Sequence, residues 1–148
     1  MIFTPLVQND KQLNEYINRA GCLFRSLSML AEVDAKKTLG PEQIQDLYHW
    51  LITQGHMDKN CWVRNHEAVI KGAQFYLGVP QSAKYVMREE ADEHDFSAGE
   101  ADYFIRHIRT VTGTGHFYVC DRMENRTWDP FWPAPATGHV LGVRGYKL

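Results

Sequence analysis

Cys22, His116 and Asp129 are the residue types that nucleophilic acyl transfer needs. A sulfur attacks a carbonyl, an imidazole moves protons, and a carboxylate orients the imidazole. Cys22 directly follows Gly21 and opens the stretch 21–32, GCLFRSLSMLAE, in which Leu23, Leu27, Leu30 and Ala31 recur on one helical face. The pattern predicts a thiol at, or just inside, the first turn of a buried helix. Gly21 is expected to supply a backbone conformation that is costly for other residues. Unpaired N–H groups and the positive end of the helix dipole favour an anion at such a position, and a thiolate is one.

The base and its orienter fall in a hairpin pattern. Residues 116–121 alternate Phe117 and Val119 against His116, Tyr118 and Cys120; 122–125 reads as a turn, and 126–129 as the returning strand. With Asp121 opposite Arg126, Tyr118 lies opposite Asp129. His116 and Asp129 then sit diagonally on one face, roughly 7–8 Å apart by backbone and closer at the side chains. A slip of one residue would put them on opposite faces.

Each of these residues also has a plainer reading. Alone, Cys22 is a core cysteine, since free cysteine is among the most buried types. His116 could cap a sheet edge, and Asp129 before Pro130 is a common turn opener. Cys61 is the rival thiol. With His56 and His66 it makes a set spaced by five, but a structural zinc site needs four ligands and no fourth stands out, so no metal is expected. Cys120 could line the site or pack. The acidic run 89–95 lacks the glycine and ligand spacing of a calcium loop and reads as a solvated loop. Trp128, Phe131 and Trp132 are either core or, beside Asp129, the wall of a substrate groove.

Asn9 and Asp10 are cap types before a helical pattern of Leu13, Tyr16, Ile17 and Ala20, which Gly21 stops. Gly40-Pro41-Glu42 starts a third helix with Ile44, Leu47, Tyr48 and Leu51 on its buried face, ended by Gly55. Residues 55–65 form an irregular loop. Asn65 caps a fourth helix carrying Val69, Ile70, Ala73 and Leu77, closed by Gly78. Residues 83–87 read as a short strand. Residues 97–100 fit a capping box before Ala101, Phe104, Ile105 and Ile108, so a helix is expected there, with a strand as the alternative. After the hairpin comes a loop with Pro130, Pro133 and Pro135, then a final strand over 138–143. Helices first and antiparallel strands afterwards predict an α+β domain.

At 148 residues, with 44% hydrophobic and 23% charged residues, the chain is expected to form one domain, 1–148, with its own core. A net charge of −2 argues against a nucleic-acid partner engaged through a broad basic surface. There is no run of apolar residues long enough to cross a membrane, and the first ten residues do not read as a signal peptide. Three cysteines is an odd count for a disulfide framework, so all three are expected as reduced thiols in a cytoplasmic protein.

With Gln8, the GC at 21–22, GHFYV at 115–119 and WDP at 128–130, the sequence resembles papain-like cysteine peptidases, nearest to the branch that processes bacteriocin leaders. It also resembles an uncharacterised family of small proteins from bacteria and their phages, through GC and SL at 21–22 and 26–27, NCWV at 60–63, HF at 116–117 and the same WDP. The first likeness implies a papain-like fold with N-terminal helices packed on a small C-terminal antiparallel sheet. It implies Cys22 as nucleophile, His116 as base and then acid, Asp129 as its orienter, and a glutamine, here Gln8, completing an oxyanion hole with the Cys22 N–H. Two departures stand out. Gln8 lies fourteen residues before Cys22, where a few are usual, with Gln12 and Asn18 as substitutes; and Leu23 stands where that branch often has glycine. The implied function is a cysteine-dependent acyl-transfer hydrolase (peptidase, isopeptidase or glutamine deamidase) acting on a protein or peptide amide, with no cofactor. One alternative is an inactive papain-like binding module, such as a phage or effector protein that holds a host partner. Another is a small metal-stabilised structural domain. Oligomeric state is left open.

Overall fold

The helical periods of the first half form four helices: α1 (Glu15–Ala20), α2 (Cys22–Ala35), α3 (Pro41–Thr53) and α4 (His66–Leu77). The computed structural model describes residues 4–90, 101–121, 127–132, 134 and 138–148. The first helix starts later than Asn9 and Asp10 suggest. Asp10 turns its carboxylate to the Gln12 N–H instead, and Asn14 caps α1 by accepting from the Ile17 N–H. Pro41 opens α3. Asn65 caps α4, and Gly78 ends it at φ 72°, a left-handed conformation that favours glycine.

The strands are β1 (Lys84–Glu90), β2 (Tyr103–Arg109), β3 (Gly115–Asp121), β4 (Thr127–Trp128) and β5 (His139–Lys147). They form one antiparallel sheet in the order β1-β5-β2-β3-β4. The fold is therefore α+β, with the helices preceding the sheet.

The helix expected after residue 100 is β2. This strand has β5 on one side and β3 on the other, and buries Phe104 and Ile105 in succession. With apolar residues on both faces the alternation of a strand disappears, and the spacing 101, 104, 105, 108 imitates a helix. The capping box at 97–100, residues 91–95 of the acidic run and the 122–125 turn lie outside the described residues. The last strand runs from His139 to Lys147, longer than 138–143, and lies inside the sheet between β1 and β2.

One face of the sheet, with Ile105, Val119 and Tyr146, packs on the helices; Phe104, Cys120 and Val143 join Ala101 in a smaller cluster. Helix α2 is buried from Phe24 to Glu32 and carries more than the single apolar stripe the sequence suggests. Its interior includes Arg25, Ser26, Ser28 and Glu32. Arg25 donates to the Leu6 carbonyl at 2.9 Å, to Ser28 Oγ at 2.6 Å and to Glu32 Oε1 at 2.6 Å; Glu32 Oε2 accepts from the Leu39 N–H at 2.9 Å. No helix among the described residues is long and apolar enough to cross a membrane.

Gly21 corrects another expectation. Its φ of −86° and ψ of 15° are open to any residue, so backbone freedom is not what the position needs. The need is for space, because a Cβ would lie 2.5 Å from the Ile17 carbonyl oxygen. Gly21→Ala is accordingly expected to cost about 1–3 kcal/mol in urea unfolding. An unchanged midpoint would show that the α1–α2 junction yields.

Candidate functional site

Cys22 is the first residue of α2 and is half-buried, while the helix behind it is enclosed. One turn on, Ser26 Oγ donates to the Phe117 carbonyl at 3.2 Å, fixing the start of the helix against the start of β3. The next residue back on β3 is His116, only 5% exposed. Its Nε2 lies 2.9 and 3.0 Å from the two carboxylate oxygens of Asp129. The Cys22 side chain is near enough to act on the pKa of this ring.

The hairpin register is the expected one. Cys120 pairs with Thr127 and Val119 with Trp128, and the same register carried on sets Tyr118 opposite Asp129. Asp129 follows β4 and is held by its own turn, since Oδ1 also accepts from the Phe131 N–H at 2.9 Å. The carboxylate is thus fixed before it meets the imidazole.

Burial alone would pull the His116 pKa below its ordinary 6.5. Hydrogen bonds to Asp129 and Cys22, and the negative charge on both, outweigh burial and raise it to about 9.

The other thiols differ. Cys61 is buried at φ 62°, in a turn where Asp58 Oδ1 accepts from the Asn60 and Trp62 N–H groups. Its sulfur points to the Tyr16 carbonyl. Burial first, then the charges of Asp58 and Cys22, push its pKa up to about 12. Cys120 is fully buried beside Phe104 and Val143. The His56, Cys61 and His66 set does not converge. His56 lies against Trp50 and His66 is hydrogen-bonded to Tyr146. Among the described residues no group of three or more His, Cys, Asp and Glu could hold a metal ion.

Gln8 folds back past α1 despite its distance in sequence. Its backbone N–H donates to the Pro130 carbonyl at 2.5 Å, next to Asp129. Its side-chain amide donates to the Ile17 and Asn18 carbonyls at 3.5 and 3.4 Å, and Ile17 O also receives the Gly21 N–H. The amide therefore sits beside the residue preceding Cys22, with its donors turned to the end of α1. Gln8 Oε1 is buried without a hydrogen-bond partner among the described residues. The substitutes are committed elsewhere: Gln12 to Asp10, and Asn18 to the Gln8 and Asp10 carbonyls.

Of the three aromatics, Trp128 packs partly against the main core and Phe131 is half-buried. Trp132 is 70% exposed. Asn9, which sequence alone makes a helix cap, clamps the Trp132 backbone, accepting from its N–H at 2.9 Å and donating to its carbonyl. No local signal announces that contact, because its partners are 123 residues apart.

The imidazole links the site to stability. Its folded pKa, about 9, exceeds the unfolded 6.5, so its contribution is complete below pH 6.5 and is lost as pH rises through 9. Unfolding free energy is expected to fall by about 3 kcal/mol across that window, and a His116→Gln protein should lack this fall in urea titrations at each pH.

Neither a curated protein nor a solved structure matches the chain. A family model does match, over residues 4–144, and its description is protein of unknown function, DUF261. A match of that extent includes Cys22, His116 and Asp129, and the chain belongs to the DUF261 family.

Proposed function

We propose that the protein is a papain-like, cysteine-dependent hydrolase acting on a protein or peptide amide. The observation that supports this most directly is the His116 ring, bonded to Asp129 and with its pKa raised in part by a thiol at the start of a helix. In this reading the Cys22 proton already rests on His116 when the sulfur bonds to the substrate carbonyl carbon, in keeping with the raised pKa of the imidazole. The tetrahedral oxyanion faces the Cys22 backbone N–H, which as the first of the helix has no intrahelical acceptor. Collapse breaks the C–N bond, and His116 delivers its proton to the departing amine. Water, deprotonated by His116, then adds to the thioester and releases a carboxylic acid and the restored thiol. Asp129 keeps the ring aimed throughout. The leaving amine is a peptide in proteolysis, a lysine side chain in isopeptide cleavage and ammonia in deamidation. The chemistry is the same in all three.

Gln8 is the second oxyanion donor in this reading. Its two long hydrogen bonds to α1 are weak enough for one donor to turn toward a developing charge.

Iodoacetamide near pH 7 should alkylate Cys22 rapidly and leave Cys61 and Cys120 untouched, as mapped by mass spectrometry. His116→Ala should slow the Cys22 reaction by about 10²-fold or more. Equal, slow labelling of all three thiols would instead fit a binding module. Against a panel of peptide, isopeptide and glutamine substrates, Cys22→Ser should be inactive. Gln8→Ala should lower turnover by roughly 10²-fold while leaving alkylation unchanged. Full turnover in Gln8→Ala would remove it from the oxyanion hole.

A further inference from the structure

Two serines are fully enclosed in α2, and they use their hydroxyls differently. A serine inside a helix commonly turns its hydroxyl back to a carbonyl of the preceding turn. Ser28 does so: its Oγ lies 3.0 Å from the Phe24 carbonyl and 3.2 Å from that of Arg25, and accepts from the Arg25 guanidinium at 2.6 Å. Ser26 instead sends its hydroxyl out of the helix, donating at 3.2 Å to the Phe117 carbonyl of β3, 91 residues on in sequence.

The place of that bond sets it apart. Ser26 follows Cys22 by four residues and stands one turn beyond it on the same side of α2. Phe117 directly follows His116 in β3. One hydrogen bond therefore spans the two elements that carry the thiol and the imidazole, within a helical turn of the first and one residue of the second. The strand ladder cannot take its place. Pairing of β3 with β4 stops at Val119 and Trp128, and the same register carried on sets Phe117 opposite Pro130, which has no N–H to donate. Ser26 is fully buried, so water does not compete for its hydroxyl.

We propose that Ser26 is a positioning residue: its hydroxyl sets the spacing between the Cys22 sulfur and the His116 ring, and so how strongly each acts on the other. This rests on the reading of Cys22 and His116 as a reacting pair. Asp129 aims the ring, and Ser26 fixes how near the helix comes to it. Such a pair tolerates little slack, since a misplacement of about 1 Å can cost roughly 10²-fold in rate.

The test is a double-mutant cycle read at the imidazole. The His116 ring of the whole protein is titrated by NMR in the wild type, Ser26→Ala, Cys22→Ala and the double variant, and iodoacetamide labelling of Cys22 is timed at pH 7 wherever the thiol is present. The wild-type ring is expected to titrate near 9, a value to which Cys22 contributes. Ser26→Ala should lower that midpoint by about one pH unit, the low end of what a neighbouring opposite charge supplies. It should also slow Cys22 labelling by roughly tenfold or more. Cys22→Ala should lower the midpoint too, and adding Ser26→Ala should then change nothing further, because the partner whose distance Ser26 sets is gone. Ser28→Ala removes an equally buried hydroxyl from the same helix and should leave both readings at their wild-type values. Ser26→Cys fills nearly the same volume with a far weaker donor; its midpoint should also fall, and it serves where the alanine protein does not fold. An unchanged midpoint in a folded Ser26 variant, an equal fall in Ser28→Ala, or a fall that persists without Cys22 would overturn the proposal and leave the hydrolase reading standing. A wild-type ring titrating near 6.5, with slow Cys22 labelling, would overturn the pairing itself and the proposal with it.

Discussion

Arg25 and Glu32 form an ion pair with both side chains fully enclosed, 2.6 Å apart, inside the helix that begins at Cys22. Taking two charges out of water costs several kcal/mol per ion, and only good geometry and further hydrogen bonds offset that. Here the further bonds are structural ties. Arg25 holds the Leu6 carbonyl and Glu32 holds the Leu39 N–H, so the pair fastens the segment leading to Gln8 and the approach to α3 onto one helix. Removing either partner would strand a buried charge, at a cost of about 3–5 kcal/mol. An apolar pair of equal volume would pack as well, but it would not specify where Leu6 and Leu39 lie.

From that helix the site is assembled by short links. The Ser26 hydroxyl joins α2 to β3 one turn beyond Cys22, and the β3–β4 register brings Asp129 to His116. The Gln8–Pro130 and Asn9–Trp132 contacts then bind the loop after Asp129 to the N-terminal segment. Cys22, His116 and Asp129 are fixed by different elements, each anchored outside the site, which is how a constellation is held without relying on its own members.

What the sequence made legible was local. The start of α2, the capping residues Asn65 and Gly78, and the hairpin register all follow from patterns within a few residues. What it hid was non-local. β2 was disguised because a strand covered on both sides loses its alternation. Asn14 caps α1 in place of Asn9 because Asn9 has a partner at the far end of the chain. Gly21 looked like a conformational need and proved a spatial one, since the Ile17 carbonyl above it is visible only once α1 exists. Arg25 and Glu32 lie outside the apolar set of Leu23, Leu27, Leu30 and Ala31, and nothing in their spacing announces that their side of the helix is buried too.

The position of β5 has a consequence for how the molecule assembles. The hairpin of β2 and β3 can form from neighbouring sequence, but among the described strands β1 pairs with β5 alone, the last of the five in sequence order. Until residues 139–147 arrive, β1 has no strand to pair with and one side of β2 presents bare N–H and C=O groups. Such distant pairings slow folding and leave sticky intermediates. A nascent chain stalled before β5 would hold its helices and a half-built sheet with an open strand edge.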